Sequence, residues 1–308
     1  HFLSTYTTLQ IGRKGKTAVS FEENRRKIIM KRKVKTKVKG FRTTDGAGVK
    51  LVRVLGNLTT KEFDPILMLD SFDSINPDDY TAGFPMHPHR GIETISYVSR
   101  GKMVHRDSLG NEAGISDGEV QWMNSGSGIM HEEMVPAAER LLGVQLWLNL
   151  PAKDKMSKPS YNSIKNEDIK EIEIEGGKIR LLAGKYGEHE GYKGDYLSMD
   201  YYDIHLNADA EVTLTMEEDD SVMVFTLLGD VYIDGEHIEE KTAVKLTEGD
   251  SLTIKNGNEK AQVLYMNSRA LNEPVAWAGP IVMNTQEELQ KAFLELRSNT
   301  FIKETAEY

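Results

Sequence analysis

The chain has 308 residues, 39% of them hydrophobic and 28% charged, with a net charge of −10 and no cysteine. At about 150 residues per domain this length predicts two domains, and the absence of thiols excludes disulfides, zinc fingers, iron–sulfur clusters and cysteine catalysis. No apolar run approaches the roughly 20 residues that cross a bilayer as a helix, so any function falls to a water-exposed fold whose metal ligands, if it has them, are His, Asp or Glu.

The charge is unevenly placed. Residues 11–39 carry twelve Lys and Arg against Glu22 and Glu23, and residues 1–10 carry no charged side chain, which leaves −20 on residues 40–308. An acidic body of that size repels nucleic acid and anionic membranes at long range, so direct nucleic-acid binding is not expected. Residues 1–29 show no sustained hydrophobic period, and Met30 followed by KRKVKTKVKG reads as the start of a first strand. Residues 1–29 are therefore expected to be a disordered or non-native extension. They lack the apolar core of a secretory signal, which makes a cytoplasmic protein the default expectation.

From residue 34 onward, short runs rich in Val, Ile and aromatics alternate with Gly, Asp and Asn turns: VKLVRVLG (49–56), PILMLDSF (65–72), IETISYVS (92–99), GEVQWMNS (118–125) and LLGVQLWLNL (141–150). This is the texture of an all-β domain. The polar stretch 151–170, with Pro151 and Pro159, reads as a linker. Strand texture resumes in YLSMDYYDIHLN (196–207), SVMVFTLLGDVYIDG (221–235) and AQVLYMNS (261–268). The expected organisation is thus a first β-domain over 30–150, a linker and a second β-domain over 171–308. Leu289, Ala292, Phe293 and Leu296 at helical spacing, after a Thr285/Glu288 capping box, predict a closing helix over 285–298. The halves also rhyme: YVSRGKMVHRDSLGNE (97–112) with FTLLGDVYIDGEH (225–237), and DGEVQWM (117–123) with EGDSLTIKN (248–256). A duplicated small barrel is the simplest account.

Two of the eight histidines stand in GFPMHPHRGIET (83–94), with only Pro88 between His87 and His89. On a strand, residues i and i+2 face the same side, so the two imidazoles point together. SGSGIMHEEMVP (125–136) supplies a second such pair, His131 and Glu133, after glycines that permit a sharp turn. Three imidazoles and one carboxylate suit iron(II), manganese, nickel, copper or zinc.

HPHRGIETISY, QWMNSGSGIMHEEM, GVQLWLNLP and GPIVMNTQEEL resemble the pirin family, whose members are bicupins, and the resemblance spans roughly residues 34–300. It implies two tandem cupin (double-stranded β-helix, jelly-roll) barrels with a C-terminal helix. It also implies one Fe(2+) in the N-terminal cupin, held by His87, His89, His131 and Glu133, and no metal site in the C-terminal cupin. Asn124 stands where many cupins have proline, and Glu93 occupies the position of the carboxylate ligand of many cupins. Glu93 shares the period-two face of His87 and His89, which leaves it as an alternative or supporting partner, whereas IMHEEM matches the pirin form with Glu133.

Other residues read more plainly. Arg90 is expected to be solvated, and Trp122 and Trp147 to pack in the core. Gln121 and Trp122 face opposite sides, so one of them at most lines a cavity. His105 is placed near the barrel mouth with no evident partner. The resemblance implies a quercetin 2,3-dioxygenase-type enzyme that opens a flavonol ring with O2, with Glu133 as ligand and general base. The other function it implies is an iron-dependent redox-sensing regulator or transcription cofactor acting through protein partners.

Overall fold

The computed structural model of the chain describes residues 29–304. The expectation for residues 1–29 therefore falls, apart from Ile29, outside the described residues.

In chain order the first half contains β1 Val34–Lys39, β2 Phe41–Asp45, β3 Val49–Leu55, β4 Ile66–Ser74, β5 Phe84–His89, β6 Ile92–Arg100, β7 Lys102–Asp107, β8 Glu112–Ser116, β9 Glu119–Asn124, β10 Ile129–Met134, β11 Leu141–Asn149 and β12 Ser160–Ile164. The second half contains β13 Lys170–Ile174, β14 Gly177–Ala183, β15 Lys185–Tyr186, β16 His189–Glu190, β17 Met199–Leu206, β18 Glu211–Thr215, β19 Ser221–Leu228, β20 Val231–Ile233, β21 Glu236–Ile238, β22 Thr242–Leu246, β23 Ser251–Asn256, β24 Ala261–Ser268, β25 Ala276–Ala278 and β26 Ile281–Met283, then the helix α1 Gln286–Arg297.

Each barrel joins a seven-stranded sheet to a four-stranded one. The first barrel has the orders β12-β9-β6-β11-β4-β3-β2 and β5-β10-β7-β8; the second has β1-β22-β19-β24-β17-β14-β13 and β18-β23-β20-β21. Written this way the two match strand for strand, so the halves are topological copies. The first rhyme in the sequence holds, because both Gly turns join equivalent strands, β6 to β7 and β19 to β20. The second rhyme is offset by one strand: DGEVQWM forms β9, whose counterpart is β22, while EGDSLTIKN forms β23, the counterpart of β10.

One strand also crosses between the halves. β1 leaves the first half and pairs antiparallel with β22 of the second barrel. The expected linker 151–170 contains β12, which pairs with β9 and completes the first barrel's larger sheet. Polar composition hid this role, because edge strands have one solvated face and need few apolar residues.

Strands buried on both faces read as continuous apolar runs. β6 and β11 do so because one face fills the first barrel while the other packs on the second. Ile95, Tyr97 and Trp122 of the first barrel join Leu182, Tyr201, Phe225 and Leu264 of the second in one buried cluster. The interior of the second barrel forms its own cluster, which includes Val212, Leu214, Leu252 and Ile254. The segment after β24 then returns to the first barrel. There α1 begins at Thr285, whose hydroxyl accepts from Glu288 N at 3.2 Å while the Glu288 carboxylate accepts from Thr285 N at 3.0 Å. The predicted helix is thus present, and it buries Leu289 and Ala292. Among the described residues no helix is long and apolar enough to cross a membrane.

Candidate metal centre

β5 is the edge strand of its sheet, so Pro85 and Pro88 remove no ladder hydrogen bond that the sheet needs. It lies against β10, with His87 opposite His131 and His89 opposite Ile129. Gly91 then turns the chain into β6 at φ +79°, and a Cβ there would stand 2.0 Å from the Val282 carbonyl oxygen. Only glycine fits that approach.

His87, His89 and His131 converge as the sequence predicts, and their ligand nitrogens all lie within 4.8 Å of one another. His87 Nδ1 is 2.8 Å from the Pro85 carbonyl oxygen, and His89 Nδ1 is 3.0 Å from that of Pro280. A carbonyl oxygen only accepts, so both Nδ1 atoms carry the proton and both Nε2 atoms present lone pairs. Those two Nε2 atoms are 3.1 Å apart. His131 Nε2 is buried and has no hydrogen-bond partner. His89 and His131 are buried and His87 is half-buried, and converging ring nitrogens there cost free energy unless something accepts their lone pairs, as a divalent transition ion does. Burial lowers the His89 pKa to about 3, with His87 adding repulsion, and burial also drives His131 well below the ordinary imidazole value. Both rings are therefore neutral at pH 7, the form that binds metals.

Glu133 is 2% exposed and lies near this group without belonging to it. Gln121 Nε2 donates to its Oε1, and Gln145 Nε2 donates to Oε1 at 3.1 Å and Oε2 at 3.0 Å. No Lys or Arg pairs with it among the described residues. Gln121 is thus the member of the Gln121/Trp122 pair that faces the site, while Trp122 enters the inter-barrel cluster.

Glu93 does not line the site. The turn at Gly91 breaks the period of two, so the parity counted from His87 does not carry into β6. Ser96 faces the site through contacts with Gln121 and Gln145. Glu93 belongs to the other face with Ile95 and Tyr97, beside Trp122. Burial there raises its carboxyl pKa to about 7.

Arg90 is buried rather than solvated. Its guanidinium donates to the Ser127 and Phe301 carbonyls at 2.7 and 2.9 Å, pairs with Glu295 at 2.8 Å and lies 4.2 Å over the Phe301 ring. It joins the site strand to the C-terminal segment, whose Pro280 carbonyl holds His89. Trp147 is buried as expected, and its ring also meets the His89 ring at 5.0 Å. His105 is fully buried, not at the mouth. Its Nε2 is 2.7 Å from Asp107 Oδ2 and its Nδ1 is 3.4 Å from His131 Nδ1. The motif His105-x-Asp107 was a third i, i+2 pair and could have been read as such.

A cavity of about 700 Å³ opens on His87 and His89, within the range of roughly 300–1,000 Å³ typical of small-molecule sites. Phe84, Met68, Trp147 and Trp277 supply apolar walls, and Arg53, Asp70, Asn57 and Gln145 supply polar groups.

Comparison with known proteins gives the family. The family model "Pirin" matches residues 48–148, and "Pirin C-terminal cupin domain" matches residues 201–302. The chain belongs to the pirin family. Human pirin is 35% identical to it over 87% of this chain and 93% of its own length. A Pseudomonas aeruginosa protein, named provisionally as a quercetin 2,3-dioxygenase, is 39% identical over 84% of this chain and 94% of its own. Among solved structures, a quercetin 2,3-dioxygenase from Acinetobacter baumannii superposes with a TM-score of 0.81 at 30% identity, covering 88% of this pirin and 98% of that chain. In the second barrel of this pirin, Val212 and Leu214 on β18 and Leu252 and Ile254 on β23 stand at the positions of the β5–β10 site residues. These aliphatic side chains carry no ligand atoms.

Proposed function

We propose that this pirin is a metal-dependent oxygenase of the quercetin 2,3-dioxygenase type. One divalent ion, iron(II) in the cell, is held by His87, His89 and His131, with Glu133 as fourth ligand. The observation that carries the reading is the convergence of three buried or half-buried imidazole nitrogens, one with no partner, beside a cavity of small-molecule size. Glu133 fits because its buried charge is met only by two neutral amides and a cation would compensate it.

When bound, the ion supplies Lewis acidity and redox access to dioxygen. The chain supplies the rest. Trp147, Trp277, Phe84 and Met68 hold a flat aromatic molecule and exclude water from its face. Glu133 takes the proton of the substrate hydroxyl, and Gln121 and Gln145 keep its carboxylate aimed. The Arg53–Asp70 pair, with contacts of 2.9 and 2.7 Å, offers fixed polar partners for ring hydroxyls.

The test is oxygen uptake by the iron-loaded protein with quercetin, alongside metal analysis. We expect about one ion per chain and flavonol-dependent uptake, both lost in His87→Ala. An iron-loaded protein that consumes no dioxygen with any flavonol would remove the oxygenase reading. The redox-dependent regulator would then be favoured, to be sought by comparing the partners of the ferric and ferrous protein.

A further inference from the structure

The contacts behind His131 form a chain of forced choices. Asp107 is the last residue of β7, and its carboxylate is buried. Its Oδ1 accepts from Leu109 N at 2.9 Å and from Asn111 N and Nδ2 at 3.1 Å. Its Oδ2 accepts from Asn111 Nδ2 at 2.9 Å and faces His105 Nε2 at 2.7 Å. A carboxylate ringed by donors is an acceptor, so His105 Nε2 carries the proton. The His105 Nδ1 lone pair then faces His131 Nδ1 at 3.4 Å, and two lone pairs do not bond, so His131 Nδ1 carries its proton. That leaves His131 Nε2 bare, the buried atom without a partner. The His105 ring is held in plane by Tyr161 of β12, stacked at 4.1 Å and 15°.

We propose that Asp107 and His105 are positioning residues of the metal centre, which fix the His131 tautomer and aim its Nε2 at the ion. This rests on the metal reading above and extends it to residues outside the ligand set. Groups that accept the second N–H of a ligand imidazole set its orientation and basicity, and losing them typically weakens metal binding by about 10–100-fold.

Two variants and one spectrum test it. In Asp107→Asn the amide oxygen stays on the main-chain donors at the Oδ1 position, so the amide N–H₂ faces His105. That reverses the His105 tautomer and sets its Nδ1–H against that of His131. His105→Phe keeps a ring against Tyr161 and removes the acceptor. Ni(II) affinity, measured by chelator competition, is expected to fall about 10–100-fold in both, with the melting of the metal-free proteins as the control for folding. Long-range ¹H–¹⁵N spectra of the metal-free wild type should show His131 protonated at Nδ1, and Asp107→Asn should shift that tautomer. Folded variants binding Ni(II) within about threefold of wild type, or a wild-type His131 protonated at Nε2, would overturn the proposal. The spectrum of the wild type decides even if both variants fail to fold. A wild type that binds no Ni(II) overturns the metal reading instead, and its spectrum still reports whether the tautomer is locked.

Discussion

Glu93 is a carboxyl group placed among apolar side chains, 1% exposed, with no hydrogen bond of good geometry to its Oε2. Burial raises its pKa to about 7, so the folded state holds the proton where the unfolded chain, with a value near 4.5, has released it. Stability from this group is therefore full below about pH 4.5 and is lost as pH rises through 7. Glu93→Gln removes the buried charge at alkaline pH and changes little at acid pH. It should raise the melting temperature at pH 8 and not at pH 5, with a difference of at most about 3 kcal/mol. An equal shift at both pH values would show that the carboxyl is ionised and satisfied in the fold. Spacing placed His87 with His89, and His131 with Glu133, on shared strand faces, and the structure brings the three imidazoles together. Spacing was not enough for Glu93, Arg90 or His105, whose directions depend on the turn at Gly91, on partners 26 or more residues away such as His131 and Ser127 and, for His105, on the unrecognised pair with Asp107.

At the scale of elements, β1 accounts for part of the basic segment, its described end. Its alternate lysines and the one just before it meet carboxylates: Lys33 with Asp234 at 3.7 Å, Lys35 with Glu62 at 3.1 Å, Lys37 with Glu236 at 2.5 Å, and Lys39 with Glu239. These lysines lie on the acidic body instead of forming a free arm. The pairs are largely exposed, so each contributes only about 0–1 kcal/mol. The anchor is Arg32, 2% exposed, whose guanidinium reaches the carbonyls of Glu217, Glu218, Asp220 and Thr247 at 2.8–3.2 Å. Arg32→Ala strands these acceptors and should cost about 3 kcal/mol, measured by urea unfolding. Ni(II) affinity should not change, because β1 belongs to the barrel that does not hold His87, His89 and His131. A loss below about 1 kcal/mol would mean that water replaces the guanidinium without penalty. The capping box of α1 was readable beforehand since cap and partner are three residues apart. The places of β1 and β12 were not, because their hydrogen-bond partners lie far along the chain and an edge strand carries little apolar signal.

For the molecule as a whole, the second barrel depends on β1 from the first half, and one apolar cluster spans both barrels. A buried polar knot joins them as well. Asp203 accepts from Tyr97 Oη at 2.5 Å and from Gln262 Nε2 at 2.9 Å, while Arg180 donates to Tyr97 Oη at 3.2 Å and to the Gly118 carbonyl at 2.8 Å. The barrels should therefore unfold together, as a single calorimetric transition whose van't Hoff and calorimetric enthalpies agree. Tyr97→Phe should lower that transition by about 1–3 kcal/mol, the cost of leaving a buried acceptor short of a donor, without splitting it. Two separate transitions in the wild type would refute the coupling.

What the sequence alone determined was whatever local chemistry encodes: β texture from alternation, the closing helix from its cap and period, and the histidine pairs from the two-residue repeat of a strand. What only the tertiary structure decided was which strand pairs with which, which face of β6 meets the histidines, and what stands behind His131. These depend on contacts between residues tens to hundreds of positions apart. A local period has no information about such contacts, and a single turn such as that at Gly91 resets the period itself.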